Sequence, residues 1–438
     1  MAAIASLAML TGCRGEDIEF DCENQRTKFD ERTQSEETPL ATEVAEKGPW
    51  PVAMQLTAAG VNKLLVSVID EDVPFRGTVP FGVLGTPGGG AKADVTPTSV
   101  PQVILREVPG CPDCVVLHLD FGLQVSDTQK DISAGVGEAD LIVPLRLDVD
   151  EAAGVSRLVA EYGNARIGDW YLSVYGFDSN EHTMLAGALK ILMDEQIAEN
   201  FGDILLLEVG SWQVGEGAVK LLVRDLIVDA ESDKLVLAMH TNLPLGQGVG
   251  LDLAGPLPEG SVLAVSMDPG LLLPMAHQML AEGEIARLYN EDGEPDPGGI
   301  YGVTLENLGA NAQGNESLDT TFRVWRVDEG YCGYAEAVMP LTMTVDPVDG
   351  RIICTAGNAV PVAGEGSPAA AIQEKDLVDE NQHLIDTFRK DLAAQMTETL
   401  NFSALDIEES TLVFTNEGID LTPEEMRTYL NFTVYADE

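Results

Sequence analysis

The sequence predicts an α+β fold of two tandem halves, each running strand, helix, several antiparallel strands, helix and closing strands. Three observations lead there. The chain repeats itself: Asn200-Phe201 recurs as Asn401-Phe402, and at the same offset His182 meets His383, Leu206 meets Ile407, and Gly215-Glu216-Gly217 meets Asn416-Glu417-Gly418. In both copies an amphipathic helix precedes a strand-rich finish with a Gly-Glu or Asn-Glu turn. Finally, 438 residues at 45% hydrophobic content give each half enough apolar mass for a core of its own.

Taken in order, Met54-Gln55-Leu56-Thr57 is an extended apolar segment running into a helix over Ala58–Val68, with Thr57 as N-cap. Strands follow at Val103–Val108, Val115–Val125 and Ala139–Val149. Met184, Leu185, Ala188, Leu189, Leu192 and Ile197 then recur at spacings of three and four, which makes one apolar stripe on a helix. Strands over Ile204–Val214 and Leu221–Leu243 close the first half, and the Pro/Gly-rich stretch Gly246–Gly260 separates it from the second.

The second half opens on Val265-Ser266-Met267-Asp268 and a helix over Pro269–Leu288, with Asp268 as N-cap and Pro269 at the first helical position. Strands are expected at Val303–Leu308, Thr320–Val327, Ala335–Val345 and Arg351–Ile353. A helical stripe of Leu384, Ile385, Phe388, Leu392, Met396 and Leu400 leads into the last strand region, Leu405–Phe414.

Charge excludes whole classes of partner. The chain carries 73 acidic against 25 basic side chains, a formal charge of −48 with a pI near 4.1. Nucleic acids and anionic membrane surfaces are bound by Lys and Arg replacing counterions, and a field this negative repels phosphates. No nucleic-acid partner is therefore expected. No apolar run reaches the roughly 18 residues of a membrane-spanning helix.

The N-terminus reads as an address. Ala2 to Leu10 has the length of a signal-peptide core, and Leu10-Thr11-Gly12-Cys13 follows directly. That tetrapeptide resembles the lipobox of bacterial lipoproteins, which implies an acylated Cys13 as membrane anchor, although no Lys or Arg precedes it. The alternative is a buried N-terminal helix with an incidental cysteine. Arg14, and not Asp, follows the cysteine, so the outer membrane is the expected location, facing the periplasm or the cell surface. Residues 14–49 are acidic and aperiodic and read as a flexible tether. Its length would hold a folded body about 30 Å from the anchor. The expected organisation is thus 1–13 signal and lipobox, 14–49 tether, 50–245 N-terminal domain and 246–438 C-terminal domain.

Six cysteines fit an oxidising compartment. Cys332 and Cys354 flank strand-like stretches with turn signals at Asp346-Pro347 and Asp349-Gly350, which suits a bridge across a hairpin. Cys111-Pro112-Asp113-Cys114 sits at a turn between strands, without the helix start of a redox motif or the further ligands of a zinc site, and reads as a small turn disulfide. Cys22 is left free or paired with another chain.

The layout as a whole resembles the tubular lipid-binding (TULIP) superfamily, which includes bactericidal/permeability-increasing protein. The resemblance is carried by Leu263–Asp268 running into Gly270–Leu280, by Gln382–Asn401 running into Ala404–Gly418, and as a pattern by most of residues 50–438. It implies two tandem domains, each a curved antiparallel sheet wrapped on long helices, joined by a central sheet. It also implies apolar tunnels for acyl chains, lined here by Leu185, Leu189, Leu192, Leu272, Met275, Met279, Leu384, Phe388 and Leu392. Methionines on or near the helices (Met184, Met193, Met267, Met275, Met279) suit irregular apolar guests, while ordinary core packing accounts for the same residues equally simply. The basic tip of lipopolysaccharide-binding relatives has no counterpart in so acidic a chain.

The expected function is a non-enzymatic lipid-binding or lipid-shuttling lipoprotein of the cell envelope, its ligand a lipid or other apolar small molecule. The alternative is a structural or adhesive surface lipoprotein with packed cores and protein partners. No catalytic residues, metal site or cofactor are expected. The sequence holds no His-Glu-x-x-His, Gly-x-Ser-x-Gly, Walker or dinucleotide pattern, and the five histidines are scattered. The loop Asn290–Asp296 is acidic, but its spacing is not that of an EF-hand.

Overall fold

In a computed structural model of the chain, the described residues are 22–37, 40–41, 43–46, 48–68, 77–82, 90–126, 133–200, 203–214, 217–244, 251–311, 317–327, 332–366, 381–401, 404–407 and 410–436. Helix α1 (Cys22–Glu36) precedes β1 (Val52–Thr57) and α2 (Ala58–Val68). Strands β2 (Gly77–Gly82), β3 (Gly90–Pro97), β4 (Gln102–Ile104), β5 (Cys114–Ser126), β6 (Ser133–Asp150), β7 (Val155–Ala160) and β8 (Arg166–Val174) lead to α3 (Ser179–Asn200). The first half finishes with β9 (Ile204–Val209), β10 (Trp212–Val214), β11 (Gly217–Val219), β12 (Leu221–Asp229) and β13 (Lys234–Thr241). The second half begins with β14 (Leu263–Met267), α4 (Leu272–Glu282), β15 (Leu288–Tyr289), β16 (Tyr301–Ala310) and β17 (Ser317–Val327). It continues with β18 (Cys332–Val345), β19 (Ile352–Ala356), β20 (Val360–Gly366), α5 (Gln382–Leu400), β21 (Ala404–Ile407), β22 (Ser410–Leu421) and β23 (Met426–Ala436).

The fold is α+β, with antiparallel sheets and two of them curled into half-barrels. One curled sheet belongs to the first half (β2-β3-β5-β6-β7-β9, with β4 and β8 alongside) and one to the second (β15-β16-β17-β18-β19, with β20 on β18). A seven-stranded sheet, β12-β13-β1-β14-β23-β22-β21, takes strands from both halves. Its middle pair is β1 with β14, Met54 opposite Val265. On either side the order repeats, because β13 flanks β1 as β23 flanks β14. The strand order is thus alike on the two sides of that middle pair.

Local chemistry sets the boundaries. Thr57 Oγ1 accepts the Gly60 amide at 3.1 Å at the start of α2, and Asp268 Oδ1 accepts the Gly270 amide at 2.8 Å before α4. The expected helix over Pro269–Leu288 is shorter, because Gly283 takes φ +81° and closes α4 with its N–H on the Met279 carbonyl. Asn401 finishes α5 and acts as a substitute strand: its Oδ1 accepts the Ile352 N–H at 2.7 Å and its Nδ2 donates to the Ile352 carbonyl at 2.8 Å. The turn expected at Asn416-Glu417-Gly418 is instead a bulge within β22, where Asn416 donates to the Gly350 carbonyl at 2.7 Å. The strand read at Val103–Val108 shrinks to β4, since an isolated bridge ties Val108 to Cys111 in the next turn.

Two expectations need correction. Cys332 bridges to Cys22 and not to Cys354, which is a free, buried thiol. β18 begins at Cys332, and Cys354 of β19 pairs with Met343 near its other end. At about 3.3 Å per residue the two cysteines stand roughly 35 Å apart along the strand, far beyond the reach of a disulfide. The second correction concerns the tether. Residues 22–36 form α1, which packs on β16, β17 and β18 with Phe29 and Glu36 buried. Beyond it Ala41 and Asn242 exchange hydrogen bonds (2.9 and 3.2 Å) and Val44 is buried, so this segment is docked on the folded body. Cys111 and Cys114 are joined to each other.

Candidate functional site

The apolar interior lies between each helix pair and its curled sheet. In the C-terminal half it is filled. Leu272, Met275 and Met279 of α4 and Leu384, Phe388 and Leu392 of α5 are all 1% exposed or less, within one continuous core. The Phe388 ring sits 5.2 Å from that of Phe322, on the inner face of β17. Side chains covered this completely leave no space for a guest against them.

The N-terminal half differs. Leu185 and Leu189 of α3 are fully covered, but the inward-facing side chains around them are not. On β8, Trp170 lies opposite Ala139 of β6 and Leu172 opposite Gly137, and both are only half-buried. Gly137 is required there: a Cβ would come within 2.4 Å of the buried Phe121 ring. Phe177, Met184 and Ala188 are half-buried as well, and Ile191 of α3 is 60% exposed. The result is an incompletely covered apolar surface between α3 and β8.

The position of α3 is fixed by its first turn. Asp178 Oδ1 accepts the Asn180 amide at 2.8 Å. His182 Nδ1 lies 3.0 Å from the Asp178 carbonyl, so it carries the proton, and Nε2 accepts the Val174 N–H at 3.1 Å from the end of β8. This histidine therefore sews helix to sheet, a structural duty that leaves both ring nitrogens occupied. His277 does similar work in the second half, with Nε2 2.8 Å from the Leu305 carbonyl, and burial lowers its pKa. His118 lies on the outer face, 2.7 Å from Asp140, whose hydrogen bond raises its pKa.

Of the residues expected to line a tunnel, Leu185 and Leu189 fall beside the half-covered surface. Leu272, Met275, Met279, Leu384, Phe388 and Leu392 fall in the filled interior. Cys13 and the side chain of Leu192 lie outside the described residues. Trp170 falls in a strand and reads from sequence as a core or rim residue, whereas the half-buried Leu172 and Phe177 carry no such reading, although alternation along β8 marks Leu172. A further cleft of about 590 Å³ lies on the outer face of the second half, between Lys28, Arg32 and Ser35 of α1 and Arg323, Trp325 and Tyr334 of the sheet. Its cations are already paired, Lys28 with Glu365, Arg32 with Glu306 and Arg323 with Glu336.

Among the described residues no group of three or more His, Cys, Asp or Glu is placed to hold a metal ion. In the acidic loop, Asn290 Oδ1 accepts the amides of Asp292 and Glu294 at 3.0 Å, so the loop satisfies itself. Among the described residues no helix is long and apolar enough to cross a membrane.

No protein-family model matches the chain, and no curated protein matches its sequence. Among solved structures it is similar to a lipopolysaccharide binding protein, with TM-score 0.42 and 10% identity over 88% of this chain and 99% of that one. It is similar also to P47 of Clostridium botulinum E1, at 0.46 and 12% over 88% and 99%, and to P47 of Clostridium botulinum A2, at 0.41 and 10% over 90% and 99%. Likenesses of this extent leave the functional reading to the chain's own geometry.

Proposed function

We propose that this protein binds lipid without catalysing a reaction, taking an acyl chain into the N-terminal half between α3 and β8 in the manner of a tubular lipid-binding fold. The observation that carries this reading is the contrast between the halves. The six helix side chains facing the second half's sheet are fully covered, whereas Trp170, Leu172, Phe177 and Ala188 are half-covered in the first. An alkyl chain completing that surface gains about 0.8 kcal/mol per methylene buried. The chain's acidity is no obstacle, because hydrocarbon is recognised by burial and not by charge.

On this reading the filled C-terminal half is scaffold, which is the packed core that a structural lipoprotein would have throughout. Acylation at Cys13 would anchor the protein to the outer membrane. The test is uptake of a fluorescent fatty acid. Wild-type protein should bind it, and Ala188→Trp, which fills the surface from α3, should abolish binding while leaving the circular dichroism spectrum unchanged. Wild-type protein that takes up no probe would sink the proposal.

A further inference from the structure

The docked α1 changes how far the body can stand from an anchor at Cys13. Its N-terminal end is bonded covalently to β18 through Cys22–Cys332. Its middle is held by Phe29, 7% exposed, with its ring 5.9 Å from Trp325. Its last residue, Glu36, pairs with Arg287 and accepts the Leu305 N–H at 2.8 Å, where a bulge between Leu305 and Asn307 frees that amide from the sheet. Nine residue steps at most therefore separate Cys13, outside the described residues, from the point where the chain is bonded to the folded body at Cys22. Fully extended, those nine steps span about 30 Å, whereas a free chain as far as β1 would span on the order of 130 Å.

The point of attachment is also an end of the molecule. Cys332 starts β18, beside Val327 at the end of β17 and Gly366 at the end of β20. The opposite end of β18 meets β19 and the Gly350 turn, which is hydrogen-bonded to Asn416 of the central sheet. So Cys332 lies at the end of the C-terminal half away from the central sheet. Charge does not set the orientation: α1 carries Arg26, Lys28 and Arg32 against Glu23, Asp30, Glu31 and Glu36, and Lys28, Arg32 and Arg323 are paired with Glu365, Glu306 and Glu336. The covalent attachment at Cys332 does.

We propose that the disulfide-clamped α1 is a short leash that sets the outer end of the C-terminal half, at Cys22–Cys332, against the bilayer, so that the N-terminal half points away from it. This rests on Cys13 being the anchor. The lipid-binding surface between α3 and β8 would then face outward, where it can meet a second membrane or a soluble donor.

The test places a donor dye, through a bio-orthogonal amino acid, at Gln34 on α1 or at Tyr175, past the end of β8 remote from the central sheet. The full-length protein is recovered from cells and reconstituted into vesicles with a headgroup-labelled acceptor lipid, and the mass of its N-terminal peptide reports acylation. Acylated protein with strong transfer from Gln34 and several-fold weaker transfer from Tyr175 supports the leash. Acylated, vesicle-bound protein with equal transfer from both sites, or stronger transfer from Tyr175, overturns the leash and leaves the anchor standing. Protein without acylation at Cys13 overturns both.

Discussion

Gly302 and Phe29 give a quantitative test of how α1 is held. A Cβ built on Gly302 would lie 2.5 Å from two carbons of the Phe29 ring, so the glycine is the hole into which that ring fits. Phe29→Ala removes a ring that is 7% exposed and should weaken docking of α1 by about 3 kcal/mol, the low end for a buried phenylalanine because the helix can settle toward the sheet. Gly302→Ala forces the ring outward and should cost about 2 kcal/mol by overpacking. Independent effects would add to about 5 kcal/mol, but a methyl group at 302 meets nothing once the ring is gone, so the double variant should cost about 3 kcal/mol. The coupling is therefore about 2 kcal/mol. The assay is native-state hydrogen exchange of the α1 amides in oxidised protein, where Cys22–Cys332 keeps the helix tethered in every variant. At 1.4 kcal/mol per decade, Phe29→Ala should speed exchange about 100-fold and Gly302→Ala about 30-fold. Additive costs in the double variant would refute the contact as the basis of docking.

Three further outcomes follow from the same structure. Burial raises the Glu36 carboxyl from 4.5 to about 7, against the lowering effect of Arg287. Its neutral form therefore stabilises the docked helix fully below pH 4.5, and that contribution, about 3 kcal/mol, is lost as pH rises through 7. Exchange of α1 should be slower at pH 5 than at pH 8 after correction for intrinsic rates, and Glu36→Gln should flatten that dependence; an unchanged profile would count against it. Cys354 is buried, hydrogen-bonded with Thr397, and pushed up to about 11. It should resist iodoacetamide at pH 8 in folded protein and react in urea, while peptide mapping without reductant should recover Cys22 linked to Cys332. Phe388→Ala should destabilise the protein by about 3–5 kcal/mol in chemical unfolding without changing fatty-acid uptake; loss of uptake at constant fold would place the ligand in the second half instead.

Much of the fold was legible because it is written in short-range periodicity. The α5 stripe from Leu384 to Leu400 and the strands at Val115–Val125 and Thr320–Val327 need only alternation or a three-four spacing, which burial enforces residue by residue. Asn401 and Asn416 stood out in the sequence, and their side chains tie α5 and β22 to the backbone of Ile352 and Gly350. What escaped was long-range. Cys22 and Cys332 are separated by 310 positions, and their pairing depends on α1 crossing to the second half's sheet. α1 itself has almost no apolar stripe, since one ring, Phe29, and one buried carboxyl group, Glu36, do its docking. The nine residues that the resemblance implies as tunnel lining are apolar residues on helices, a property that cannot separate a covered interior from an open one. Half-coverage at Trp170 and Leu172 depends on how α3 meets β8, and that is set by His182 and Asp178.

The most direct measurement is native mass spectrometry of protein purified from cells without detergent, followed by lipid extraction. Lipid binding in the N-terminal half predicts a co-purified species of lipid mass, displaced by added fatty acid and missing from Ala188→Trp. Protein that carries no lipid, and that binds none when fatty acid is added, would contradict it.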